Sequence, residues 1–359
     1  MTRLRVKHNI RAPELAVLHM KYQSKGAIRS ARAYWYLGPL TLLASLPSFA
    51  ESTGARQTMD DAWWTGPLLA ASASTLPQGH LLFEPYLFDI ITYGRHDTQG
   101  DRLSAPHEND FGSQSYLIYG VTDRISAGLI PRFGFEKSSQ GPSSQGLQIG
   151  DLTLQAQYRL TLFQEGSWVP TTSFVIGETV PTGKYDRLDQ HPGDGFGAGA
   201  YTTILSLYSQ EYFWLSTGRI LRMRLDLSYA LSSQVGLQGV SVYGTGAGFS
   251  GHAQPGDSFT GDVSWEYSAT RNWVLALDVV YEHDASTTVS GSSSAASTSG
   301  APAAPVRTSS GNSWSLAVAP AIEYNFNPRI GIIAGARFIP TGRNTSISVT
   351  PVVAINMVF

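Results

Sequence analysis

The chain contains no cysteine, which excludes thiol catalysis, thiolate zinc sites and disulfides and is compatible with an oxidising compartment. Charge is scarce too. Asp, Glu, Lys and Arg make up 14% of the residues and nearly cancel, to a formal net charge of −2, so there is no basic face to meet nucleic acid. The body of the chain lacks the ~20 nearly unbroken apolar residues that a membrane-crossing helix needs. Glycine-rich phosphate loops, zinc-binding helix motifs and nucleophile elbows are also missing. What the sequence has in quantity is glycine, 36 residues, and aromatics: 15 Phe, 17 Tyr and 8 Trp. Its mean hydropathy is close to zero, as expected where apolar and polar residues alternate instead of forming blocks.

One apolar run stands near the start. Lys21, Lys25, Arg29 and Arg32 precede the greasy stretch Ala33 to Leu46, and Pro47, Ser48, Phe49 and Ala50 follow it. A basic head, a short apolar core and small residues at the −3 and −1 positions predict a signal peptide over residues 1–50, cleaved after Ala50. The head is unusually long, which places the expected translation start at Met20. Residues 51–78, with Asp60, Asp61, Trp63 and Trp64, show no clean period and read as a periplasmic or lumen-filling lead-in, or a flexible terminus.

The C-terminal stretch Ser346 to Phe359 sets the reading of the rest. Phe359, Met357, Ile355, Val353, Pro351, Val349 and Ile347 fall on one face of a strand, and Val358, Asn356, Ala354, Val352, Thr350, Ser348 and Ser346 on the other. A greasy face ending on an aromatic terminus is the pattern of a closing strand in an outer-membrane barrel. The same alternation recurs upstream. Trp314, Leu316, Val318, Pro320, Ile322, Tyr324 and Phe326 oppose Ser313, Ser315, Ala317, Ala319, Ala321, Glu323 and Asn325.

Strands are predicted near 80–93, 113–121, 125–135, 147–162, 169–180, 197–214, 220–231, 258–270, 273–283, 313–326, 329–339 and 346–359. Five short, turn-rich links alternate with six that are mostly long, among them 94–112, 232–257 and 284–312. The expected fold is therefore all-β: a transmembrane antiparallel β-barrel of about twelve strands over residues 79–359, with both termini periplasmic. The competing architecture is a soluble two-layer sandwich, which has no reason to keep short and long links in strict alternation. The Ser/Ala-rich tract within 284–312 reads as a low-complexity, mobile extracellular loop.

The segments LPQGHLLFEPYLFD (Leu76 to Asp89), GDLTLQAQYRL (Gly150 to Leu160), PTGKYD (Pro181 to Asp186) and GIIAGARFIPTGRNTSISVTPVVAINMVF (Gly331 to Phe359) resemble, in this order, the meta-pathway of phenol degradation family of outer-membrane, transporter-like β-barrel proteins. The resemblance implies a bacterial outer-membrane barrel passing small organic, often aromatic or hydrophobic, solutes by passive diffusion. Its expected partners are outer-membrane lipid, the barrel assembly machinery through the strand ending at Phe359, and the solutes themselves.

The registers place Arg132, Asp151, Arg159, Glu178, Arg222, Arg224, Asp226, Asp262, Glu266, Asp278, Glu282, Glu323 and Arg337 on lumen-lining faces. These charges form a mixed-sign ladder, basic early and acidic late, that either selects solutes or fills the pore with structural ion pairs. The rival functions are a lipid-acting barrel enzyme and a non-conducting structural or adhesive barrel. A hydrolase needs a serine beside a histidine, and His283 with Ser286 is the nearest pair, while His80 and His252 have no organised partner in the sequence. His96 with Asp97, and Asp186, Asp189, His191 and Asp194, are loop groups that read as solvated charge before metal ligands. No catalytic, cofactor or metal residue is expected.

Overall fold

The structure, a computed structural model, describes residues 56–139, 141–294 and 303–359. The expected signal peptide and the start at Met20 lie outside the described residues. Strands β1 (Leu81–His96) and β2 (Arg102–Thr122) form the first hairpin. β3 (Ile125–Ile130) and β4 (Arg132–Ser138) are halves of one barrel strand, as are β5 (Gln148–Ile149) and β6 (Leu152–Thr161). β7 (Thr171–Val180), β8 (Thr202–Trp214) and β9 (Ile220–Ser232) continue the wall. It is completed by β12 (Ser258–Ser268), β13 (Trp273–Asp284), β16 (Ser313–Asn327), β17 (Ile330–Arg343) and β18 (Thr345–Val358). Each strand pairs antiparallel with its neighbours, and β1 pairs with both β2 and β18. The result is a closed barrel of twelve strands, as the alternation of links predicts.

Alternation fixes which face looks inward. Ser315, Ala317, Ala319, Glu323 and Asn325 of β16 are buried, while Ile322 and Phe326 are exposed. The pattern repeats around the ring: Leu87, Phe174, Ile176, Leu207, Leu225, Leu275, Val353 and Ile355 point out, and Ser173, Ser264, Glu266, Asp278 and Thr350 point in. The molecule is inside-out, with an apolar exterior and a polar interior. No helix among the described residues is long and apolar enough to cross a membrane.

Turn chemistry explains the short-link rim. Asn327 Oδ1 accepts the amides of Arg329 and Ile330 at 2.8 and 2.9 Å, and Thr270 Oγ1 accepts that of Trp273 at 3.0 Å. The ladder gives way where the backbone cannot donate or must bend. Pro131, which has no N–H, separates β3 from β4. Residues 105–107 bulge between the pairs Thr92–Glu108 and Gly94–Ser104.

Several expectations are corrected. The link 94–112 is mostly strand, because β1 and β2 run on to His96 and Arg102. Ile347, expected on the outer face, is buried: the register shifts between Thr92 and Gly94 opposite it, which turns the alternation over. The links 232–257 and 284–312 carry a second sheet of four strands, β10 (Val235–Gln238), β11 (Phe249–Gln254), β14 (Thr288–Ser293) and β15 (Ala304–Ser309). Val235, Leu237, Phe249, Ala253 and Val289 pack one face of it against Leu188, Ala198 and Tyr243. The tract predicted to be a mobile loop therefore contributes to a packed core, apart from 295–302, which lie outside the described residues.

Residues 57–78, with one 3-10 turn at Met59–Asp61, form a strap inside the barrel. A notch in the wall receives its end: a methyl group at Gly120 would overlap the carbonyl oxygens of Pro77 and Leu76. Because those atoms are backbone and cannot rotate away, Gly120→Ala is expected to displace the strap from β2. Faster hydrogen exchange at Leu76, whose amide is held by Ser126 Oγ at 3.0 Å, would report the displacement.

Candidate functional site

The strap enters at the short-link rim, where one glutamine organises it. Gln57 donates its amide to the Gly218 carbonyl at 2.9 Å, receives Trp214 Nε1 at 2.7 Å and bonds Ser268 Oγ through Nε2 at 2.8 Å. Arg271 then lies 5.3 Å over the Trp63 ring and donates to Asp61 Oδ1 at 2.7 Å.

From Thr65 the strap climbs the wall on carboxylates. Glu323 Oε2 accepts the amides of Thr65 and Gly66 at 2.8 and 3.2 Å. Asp278 accepts those of Leu68 and Ala70, both at 3.1 Å, and Asp226 accepts that of Ala71 at 2.6 Å. Arg224 donates to the Ala70 carbonyl at 2.8 Å. At mid-height Leu68 and Leu69 pack among Ala317, Ala319, Ile333 and Ala354. The chain then crosses to the opposite wall, where Gln157 donates to the Ser72 carbonyl at 2.9 Å and Arg159 to Thr75 Oγ1 at 3.0 Å. Residues 62–79 carry no charged side chain. The wall's charges thus meet main chain, and charge-assisted hydrogen bonds to it are the stronger kind.

Several of the remaining wall charges pair with one another. Arg222 makes a two-pronged contact with Glu266 and lies 4.5 Å over the Trp64 ring. Arg224 Nε is 3.3 Å from Glu266, and Arg337 is 2.8 Å from Glu282, which also accepts Ser315 Oγ at 2.7 Å. Asp151 accepts the amides of Gly183 and Ala198 at 2.9 and 2.6 Å, and the Gly150 amide donates to the Arg132 carbonyl at 2.8 Å. Of the residues read as lumen-lining, Asp151, Arg222, Arg224, Asp226, Asp262, Glu266, Asp278, Glu282, Glu323 and Arg337 are buried. Glu178 is the correction. It shares the outer face of β7 with Phe174 and Ile176 and accepts the Thr203 hydroxyl at 2.7 Å. A carboxylate close to a strand end can face outward when a neighbouring strand supplies a donor.

Beside the strap runs a cavity of about 290 Å³, lined by the apolar and aromatic groups of Tyr86, Tyr116, Ile118 and Tyr208 and by the charged groups of Arg222, Arg224 and Asp262. Several of the groups considered for other chemistry have partners of their own. Ser286 Oγ bonds Ser309 Oγ at 2.6 Å, while His252 Nε2 meets Ser290 Oγ at 3.0 Å on the exposed face of the small sheet, a partner the sequence did not reveal. Asp97 accepts the amide of Gln99 in its own loop, Asp186 that of Gln238 in β10, and Asp194 that of Gln145 in the link between β4 and β5. Among the described residues no group of three or more His, Cys, Asp or Glu could hold a metal ion.

One solved structure shares this fold. The barrel is similar to that of an outer-membrane channel. That protein, the COG4313 outer membrane channel from Pseudomonas putida F1, aligns with a TM-score of 0.60 at 15% identity over 80% of this chain and 98% of its own. At that identity the likeness is one of fold. The NanC porin aligns at 9% identity and a TM-score of 0.39, over 76% of this chain and 98% of its own. The CymD monoaromatic hydrocarbon channel aligns at 11% and 0.38, over 79% of this chain and 89% of its own. No family model and no curated protein matches the sequence.

Two measurements check the strap's attachments. Asp278→Ala removes the acceptor of two amides, at about 1.5–3 kcal/mol for each hydrogen bond to a charged group. Exchange at Leu68 and Ala70 is expected to quicken and the single-channel current to rise. At the rim, the Thr58 hydroxyl and amide, with Arg271 behind them, hold the Asp61 carboxyl below its ordinary value. A depressed value means that this anchor is fully present above the ordinary carboxylate range and lost as pH falls through the depressed value. Trp63 fluorescence should be flat around neutrality and change only in strong acid, and Asp61→Asn should abolish that change.

Proposed function

We propose that the protein is a bacterial outer-membrane channel of the meta-pathway of phenol degradation family, through which small organic solutes, aromatic or hydrophobic, diffuse passively. The observation that carries this reading is the inside-out closed barrel whose polar lumen keeps a half-apolar cavity beside the strap. A ring of strands with an apolar exterior is at rest only in a bilayer, since exposed apolar patches of this extent are not left to water. The alternation of short and long links supports an orientation with short turns and both termini in the periplasm and the four-stranded sheet outside. Outer-membrane lipid surrounds the wall, and the strand ending at Phe359 is the segment offered to the barrel assembly machinery. The similar fold from Pseudomonas putida F1 is an outer membrane channel, which agrees with a solute-passing role.

A cavity of this volume admits a single ring or a short chain, below the range of most drug-sized sites. The tyrosines would contact the apolar body of a solute while the guanidiniums and carboxylates meet its polar substituents. A second reading, a barrel that hardly conducts, is favoured by the strap itself, because its residues occupy the middle of the lumen. Uptake of a labelled monoaromatic by cells with intact outer membranes, with and without the protein, separates the two. Faster uptake with the protein is expected, whereas unchanged uptake together with silent planar bilayers would leave the structural reading.

A further inference from the structure

Six carboxylates and three guanidiniums share the middle of the lumen, all buried: Asp226, Asp262, Glu266, Asp278, Glu282 and Glu323 against Arg222, Arg224 and Arg337. Five of the acids have evident work. Glu266 holds Arg222 and Arg224, Glu282 holds Arg337, and Asp226, Asp278 and Glu323 hold the strap. Asp262 is the sixth. It stands on β12 directly across the ladder from Asp226, is only 5% exposed, and lines the cavity. Its Oδ1 meets no hydrogen-bond donor among the described residues.

A buried carboxylate oxygen without a donor is costly, and a donor that arrives with a ligand recovers the loss. The field at this point has a definite sign. Asp226 lies directly across the ladder on β9 and Asp278 stands on β13, so both strands adjoining Asp262 carry acids, while Arg224 donates to the Ala70 carbonyl and Arg337 pairs with Glu282. Acid-rich constrictions of this kind favour cations. A guest that fits must therefore present a positively charged N–H group towards Asp262 and an apolar body towards Tyr86 and Val280, which line the same cavity.

We infer that Asp262 is a recognition point in the lumen for small organic solutes bearing an ammonium group. The inference rests on the channel reading and narrows its solute class. The arrangement disfavours carboxylates of equal size, because a second anion would enter beside an acid that lacks a donor.

Planar bilayers containing the full protein, with gradients of benzylammonium chloride and of sodium benzoate, test this through reversal potentials. Wild-type protein is expected to pass benzylammonium in preference to benzoate. Asp262→Asn, which keeps the shape, and Asp262→Ser, which opens space, should each lower that preference by about tenfold, the loss of one charge-assisted hydrogen bond. Heat-dependent gel mobility establishes that each variant is a folded barrel. A wild-type preference for benzoate, or a ratio unchanged in both folded variants, overturns the inference while the channel stands. Absence of current with either salt, together with absence of aromatic uptake, removes the channel reading and this inference with it.

Discussion

Closure of the hydrogen-bonded ring between β1 and β18 is the constraint on which everything else rests. In hydrocarbon, no water is available to satisfy a main-chain N–H or carbonyl, so a sheet can cross only if it has no edge. Leu81 and Phe359 exchange both of their main-chain bonds, at 3.1 and 2.8 Å, and seal the seam at its rim. Once the ring is shut, each strand divides its residues between two environments. The same alternation then decides both what lipid touches and what a solute meets. Where the ladder fails, other donors and acceptors take over. Ser115 N reaches the Pro131 carbonyl at 3.2 Å, Gly150 N reaches that of Arg132 at 2.8 Å, and both oxygens of Asp151 take amides from the 181–200 segment.

The interior raises an electrostatic problem that the strap helps to solve. Burying ionised groups is expensive unless each is paired and hydrogen-bonded, and leaving one partner alone costs several kcal/mol. With twice as many acids as guanidiniums in mid-lumen, the wall cannot neutralise itself. The strap contributes main-chain N–H groups, which are compact donors that bring no side-chain charge. Its sequence suits this role, because small residues from Ala70 to Ser74 let the backbone approach the wall and two leucines anchor it against a patch of alanines.

The barrel was legible because period-two alternation survives wherever a strand has lipid on one side and polar lumen on the other. In β16 every residue from Trp314 to Phe326 could be assigned a face. Elsewhere the signal breaks for identifiable reasons. In β7 both faces carry apolar groups, Val175 inward and Phe174 outward, so charge alone suggested that Glu178 looked inward. At β18 a bulge on the partner strand reverses the phase at Ile347, which no pattern within 346–359 could disclose. The four-stranded sheet was missed because its strands are short and small or polar residues interrupt them, Ser and Gly above all in β14. Its apolar residues, such as Val235, Leu237 and Val289, are too sparse to form a visible period. The lumenal charges were found by register, but their partners were not, since the sequence does not say that residues 57–78 fold back among them. The one available hint was the absence of charge from 62–79.

The strap joins walls that are far apart around the ring. It is fastened to β16, β13 and β9 by acids and to β6 and β3 by amide, hydroxyl and guanidinium groups. A hollow tube of strands is easily squashed into an oval, because its ladders bend more readily than they stretch. A tie across the diameter opposes that flattening, so the cross-section keeps one shape under the lateral pressure of the surrounding lipid.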